Sequence, residues 1–217
     1  MHRILFALFL LMSSFCFAQD PAFPDMRNKR EGFTKIQDKA VRADIASFAM
    51  AGLDESAGKL PLRKLQMTAI GNDSIAFEGN RINVKIKSAV FDATKHKLGY
   101  YTNAETGKKY LTKINGKPFY GDYGTMPKTT IASITVLFGA DTIAIPKEAF
   151  ADLYNPIFSY NENGVQKFIN NVFLSADGKK VYIYMLKREA GGSYEVTWVI
   201  QDGKYVRRVV DFGFLKN

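Results

Sequence analysis

Gly191-Gly192-Ser193-Tyr194-Glu195-Val196-Thr197-Trp198-Val199-Ile200-Gln201-Asp202-Gly203-Lys204-Tyr205 is the stretch that decides the fold class. Tyr194, Val196, Trp198 and Ile200 share one parity, so they fall on one face of an extended chain. Asp202-Gly203 tolerates positive φ and predicts a tight hairpin after that strand. Trp198 reads as core, since it alternates with Val196 and Ile200.

The same period recurs upstream. Ile82, Val84, Ile86 and Val90 alternate with Asn83, Lys85 and Lys87, and Ala132, Ile134, Val136 and Phe138 repeat the pattern. Val181, Ile183 and Met185 do so again, with Tyr182, Tyr184 and Leu186 opposite. Gly71-Asn72-Asp73, Gly139-Ala140-Asp141, Asn161-Glu162-Asn163-Gly164 and Asp177-Gly178 supply turns between them. The expected class is mainly β (α+β by count of helices), with about ten antiparallel strands.

Two helices are expected beside them. Over residues 34–51, Ile36, Ala40, Val41, Ile45, Phe48 and Ala49 recur at helical spacing, with Thr34 as N-cap, Gln37 three residues on and Gly52 as the stop. Such an amphipathic helix needs a sheet to lie on. A short second helix is expected over 146–153, with Pro146 at its start and Pro156 beyond its end.

The punctuation of the final hairpin also appears earlier. Gly71-Asn72-Asp73-Ser74-Ile75-Ala76 matches Gly139-Ala140-Asp141-Thr142-Ile143-Ala144. Val90, Phe91, Lys97 and Tyr100 match Val172, Phe173, Lys179 and Tyr182, and Glu105, Gly107 and Tyr110 match Glu189, Gly191 and Tyr194. Gly116-Lys117 matches Gly203-Lys204, and Asp122 and Gly124 match Asp211 and Gly213. The order is kept throughout, which predicts an internal duplication: two related β-units at 58–124 and 125–217, behind an exposed segment and helix at 19–57. Duplicated units must share strand order and direction.

Met1-His2-Arg3 followed by an apolar run and Cys16-Phe17-Ala18 reads as a secretory signal peptide, cleaved between Ala18 and Gln19. Phe15 is too bulky to precede an acylated Cys16. The expected location is therefore a bacterial periplasm or exterior. The mature chain is free of cysteine, which removes thiol nucleophiles and thiolate metal sites. No later run reaches membrane-spanning length. The chain has 30 Lys and Arg against 21 Asp and Glu, a net charge of +9, and losing Arg3 leaves 29 − 21 = +8. That balance favours anionic glycans or envelope surfaces, although the basic residues are spread as they would be on the solvent faces of strands.

Catalytic signatures are sparse. His96 alone among histidines survives processing and sits in a lysine-flanked turn, with no Gly-x-Ser-x-Gly elbow elsewhere. One histidine and no thiol do not make a zinc site, and no metal is expected. Asn161-Glu162-Asn163-Gly164 lacks the distal ligands of a calcium loop and reads as a hairpin turn. Neither phosphate-binding glycine motif occurs, so no nucleotide cofactor is expected, and nothing signals specific nucleic-acid binding. Paired carboxylates need no histidine, and Asp122 with Asp211, or Glu105 with Glu189, are the pairs that a duplication would set face to face.

The most distinctive run is 117–128, Lys-Pro-Phe-Tyr-Gly-Asp-Tyr-Gly-Thr-Met-Pro-Lys, at the junction of the two units. Phe119, Tyr120 and Tyr123 beside Asp122 and Lys128 have the chemistry to stack on sugar rings, or else to staple the units together. The expected function is an exported, non-catalytic β-protein binding an envelope component, a glycan or a protein partner. The alternatives are a glycan hydrolase using paired carboxylates and a secreted protein inhibitor.

Overall fold

Alternating segments become paired strands here where turn residues take up positive φ, as at Asn115-Gly116, Asn163-Gly164 and Asp202-Gly203. In a computed structural model of the chain, residues 32–188 and 192–211 are described. The expected leader 1–18, the entry segment 19–31, Glu189, Gly191 and Gly213 lie outside them.

The described residues carry β1 (Arg63–Lys64), β2 (Gln66–Ile70), β3 (Ser74–Gly79), β4 (Ile82–Val90), β5 (Leu98–Thr102), β6 (Lys109–Ile114) and β7 (Thr129–Phe138). There follow β8 (Asp141–Ile143), β9 (Tyr160–Glu162), β10 (Val165–Lys167), β11 (Asn171–Leu174), β12 (Lys180–Lys187), β13 (Tyr194–Gln201) and β14 (Lys204–Asp211). The protein is mainly β, as expected. One five-stranded sheet has the order β1-β11-β12-β13-β14 and the other β2-β3-β4-β7-β8, with β5-β6 and β9-β10 as separate ribbons. Every pairing between these strands is antiparallel, and an isolated bridge between Tyr120 and Leu153 is parallel.

The two sheets bury their facing sides against each other. Ile75, Phe77, Val84, Ile86 and Val136 of one meet Val181, Ile183, Val196, Trp198 and Ile200 of the other in a single core. Trp198 is core, as its parity predicts, and its indole N–H donates to the carbonyl of Ala149 (2.8 Å). The opposite face of the first sheet, with Phe173, Tyr182, Tyr184 and Leu186, is covered by Phe33, Ile36, Val41, Ile45 and Ala49. Three layers result, and β12 and β13 are buried on both faces. The outer face of the second sheet is not covered in this way, so β3, β4 and β7 keep a half-buried alternation.

Four expectations need correction. The 34–51 helix is only α1 (Lys39–Ala46), between 3-10 turns at Phe33–Lys35 and Met50–Glu55. Asp38, not Thr34, is the N-cap, because its carboxylate accepts from the amides of Ala40 (2.9 Å) and Val41 (3.1 Å). Gly52 does not stop α1 but lets the chain fold back over it, for a Cβ there would lie 2.5 Å from Ala46 Cα. The expected helix 146–153 is one 3-10 turn, Lys147–Ala149. Trp198 takes the Ala149 carbonyl that an α-helix would offer to Leu153, whose amide instead bonds the carbonyl of Phe150 (3.1 Å).

In β7, a bulge opposite Lys87 and Ser88 turns Ile131 inward instead of Ala132, while Val90, at the end of β4, is 82% exposed. The proposed duplication fails on strand order. β5-β6 stands as a separate ribbon, whereas the matching segments β12 and β13 sit inside a five-stranded sheet. β7 and β8 complete the sheet of β2–β4, and β1 edges the sheet of β11–β14. What the two stretches share is turn chemistry at the matched pair Gly116 and Gly203, both with positive φ, whereas Gly139 has positive φ and its counterpart Gly71 does not.

Candidate functional site

The junction run 117–128 is folded inward. Phe119, Tyr120 and Tyr123 are 1%, 5% and 6% exposed, so their rings offer no platform for a sugar. Phe119 and Tyr123 join Phe91, Leu111, Ile114 and Tyr154 in a cluster beneath the β5-β6 ribbon, and Tyr120 enters the core between the sheets. The rings of the run thus pack within the protein, in two different clusters. Burial with the nearby charge of Asp152 pushes the Tyr154 phenol up to about 12. Lys128 is exposed, and its backbone amide donates to Asn155 Oδ1 (2.8 Å).

Asp122 is the polar centre of the run. It has φ 30°, in the left-handed region, and accepts hydrogen bonds from Lys187 Nζ (2.8 Å) and Asn155 Nδ2. The Lys187 side chain is fully buried, so its charge depends on its partners being present. Gly192, entering β13, lies so close that a Cβ would overlap the backbone of Asp122. This constellation joins the junction to the end of β12 and to Gly192 at the start of β13.

The carboxylates that duplication would pair do not face one another. Lys187 has the parity of Ile183 and Met185, which puts Asp122 on the side of the core between the sheets. Asp211 has the parity of Val209 and accepts from the Phe33 amide (2.8 Å) on the α1 side. Glu105 is exposed next to the β5-β6 turn. A different pair does meet: Glu195 and Asp211 are direct cross-strand neighbours. Both are buried beneath the α1 layer, and burial pushes both carboxyls above their usual range. Glu195 accepts from the amides of Met50 (2.9 Å) and Ala51 (2.6 Å) and from the Tyr184 hydroxyl (2.8 Å). Asp152 is held in a fork by Arg208, with 2.7 Å for the Nη2 contact. His96 stacks on Phe91 (4.8 Å between centroids), with Nδ1 2.9 Å from Asn115 Nδ2. Asn161 to Gly164 is the hairpin turn between β9 and β10, as expected.

Open space lies elsewhere. Two adjoining hollows of about 500 and 450 Å³ share a wall of Tyr160, Ile169, Leu186 and Arg188. Volumes of this order suit small ligands (~300–1,000 Å³). The first lobe is completed by Asn72 and the segment Pro156 to Ser159. The second lies between the end of α1 and the edge of the first sheet, with Phe48, Lys64, Phe173 and Tyr184 among its walls. Phe48 stacks on Phe173 at 4.2 Å, and Lys64 Nζ lies 5.6 Å from the centre of that ring.

Local sequence explains why the edge stays open. β1 pairs with Phe173 and Leu174, and after Leu65 bonds the Val172 carbonyl (2.8 Å) the chain departs into β2 of the other sheet. Buried Asn170 sets the first lobe. Its Nδ2 donates to the carbonyls of Ile157 (2.8 Å) and Phe158 (3.3 Å), while its Oδ1 accepts from the Leu186 amide (3.1 Å). Among the described residues that line them, neither lobe has an Asp or Glu, whereas Arg188 borders both and Lys64 the second. Arg188 is exposed and makes no ion pair among the described residues; its field reaches Glu162, which already pairs with Lys167. No expectation from the sequence pointed to this cleft. Its only local signal is Lys187-Arg188 at the end of a strand.

Compared with protein-family models, curated proteins and solved structures, the chain matches none.

Proposed function

We propose that this is an exported, non-catalytic binding protein that holds an anionic envelope component in the two-lobed cleft. The charge pattern of the cleft carries the reading: Arg188 and Lys64 border it, no carboxylate lines it among the described residues, and the chain as a whole is +9. The buried carboxylates Glu195 and Asp211 serve backbone amides beneath α1, and Asp152 serves Arg208, so none of the three is an acid/base on the cleft wall. Export rests on the basic, apolar and small-residue order of 1–18.

Retention on an immobilised polyphosphate tests the binding. The protein is expected to be held at low salt and released as salt rises, with neutral dextran retaining nothing. The paired charge reversals Arg188→Glu and Lys64→Glu should abolish retention. Binding unchanged in high salt, or indifferent to those reversals, overturns the reading. For export, the secreted product should begin at Gln19 on N-terminal sequencing.

A further inference from the structure

We infer that the ligand of this cleft is an amphipathic acid, with an apolar acyl or aryl body bedded in the lobes and one anionic head on Arg188. The inference rests on the cleft being the seat of an anion, and adds what the rest of that ligand must be.

The argument starts from what the walls lack. A sugar-binding site aims several free hydrogen-bonding side chains at its ligand. Among the described residues the common wall has Tyr160 and Arg188 with polar ends. Of the other polar lining residues, Ser47 donates to the Asp44 carbonyl, Ser159 accepts from Gln166 and Asn171 donates to the Ile169 carbonyl, which leaves Asn72 and Lys64. Ile169 and Leu186 make up the rest of that wall, and Phe48 stacked on Phe173 forms an aromatic surface in the second lobe. The Tyr184 hydroxyl already donates to Glu195, and Asn170 spends its amide on the backbone. A polyhydroxylated ligand would leave most of its hydroxyls unpaired there, whereas an alkyl or aryl group loses nothing.

The cations then fix the head. Arg188 borders both lobes, so one guanidinium position serves a body lying in either or bent across both. Among the described residues Glu162 is the acidic group within reach of its field, and Lys167 already neutralises that carboxylate. An incoming carboxylate or phosphate can therefore take both N–H groups of the guanidinium fork. Lys64, lying over the Phe173 ring at the far side of the second lobe, adds to the field that draws an anion in.

Isothermal titration of the intact protein, below the micelle concentration of each probe, tests this with dodecanoate, dodecyl phosphate, dodecanol and glucuronate. Both anionic amphiphiles should bind at least tenfold more tightly than dodecanol, and glucuronate should not bind measurably. Arg188→Gln, a change at an exposed residue, should weaken dodecanoate about tenfold, the worth of roughly 1.4 kcal/mol, and leave dodecanol unaltered. Ile169→Ser should weaken all three dodecyl probes while thermal unfolding reports whether the variant is folded. Glucuronate binding as well as dodecanoate overturns the apolar body and leaves the anion reading standing. Dodecanol equal to dodecanoate, or Arg188→Gln without effect, overturns the head. If no probe binds, the amphiphile is wrong, and retention on polyphosphate decides the broader reading separately.

Discussion

At the scale of single residues, the decisive contact is one ion pair. Lys187 has no exposed side-chain surface and reaches Asp122 across 65 positions of sequence, while Asn155 donates to the same carboxylate. Taking two charges out of water costs nearly what their attraction returns, so the pair adds little net stability, yet removing one charge takes a counter-charge away from the other. Asp122→Asn or Lys187→Met alone should therefore destabilise the fold in urea unfolding, by at most about 3–5 kcal/mol. The double variant should recover most of that loss, since neither charge of the pair remains. Asn is the right test at 122 because it tolerates the left-handed backbone better than other residues. Single losses that simply add would show two independent contacts and sink this account. The composition of 117–128 shows a polar-aromatic cluster, but not its direction. Rings that could have faced a sugar face Tyr154 and Phe91 instead.

At the scale of elements, side-chain parity was legible and neighbours were not. Tyr194, Val196, Trp198 and Ile200 occupy one buried face, as their period requires. Period two assigns a residue to a face but is silent on which strand lies alongside, so turn motifs common to any antiparallel chain imitated a duplication. Helix ends were lost for local reasons. The apolar spacing of 34–51 continues past both ends of α1 because the flanking 3-10 turns bury residues against the same sheet. The Asp38 carboxylate decides where the helix begins, so Asp38→Ala should cost about 1 kcal/mol and Asp38→Asn only a small part of that. Guanidinium unfolding followed by far-UV circular dichroism checks it, and equal losses in the two variants would refute the cap. The cleft was illegible because it exists where backbone pairing stops. Its walls come from the end of α1, from Leu62 and Lys64, from 156–160 and from strands β11 and β12, which no local pattern joins.

At the scale of the whole molecule, the α1 layer is held by two adjacent carboxylates of the sheet, beside the Tyr182 hydroxyl that donates to Asp44 of α1 (2.6 Å). Glu195 and Asp211 are paired across β13 and β14, yet one holds the amides of Met50 and Ala51 and the other the amide of Phe33. The segment between them leaves and returns over two adjacent carboxylates, and it covers the aromatic face that includes Tyr182, Tyr184 and Phe173. Burial raises both carboxyl pKa values, and for Glu195 the charge of Asp211 adds to the rise, outweighed in neither case by the amide and Tyr184 hydrogen bonds. A carboxyl raised in the folded state binds its proton there more readily than in the unfolded chain. Its stabilising share is therefore full below the ordinary carboxylate range and is lost as pH rises through the raised value. Asp92, lowered to about 2 by its bonds to Thr94 and Lys95, acts in the opposite sense, but only as pH falls below that ordinary range, as do Glu55, Glu162 and Asp177. Between neutrality and pH 5 the buried pair governs the carboxylate contribution. The urea midpoint should thus rise on going from pH 7 to pH 5, and the double substitution Glu195→Gln with Asp211→Asn should flatten that rise. A wild-type midpoint that falls over the same interval, or a slope that survives the double substitution, would show that this pair does not govern how the α1 layer is held.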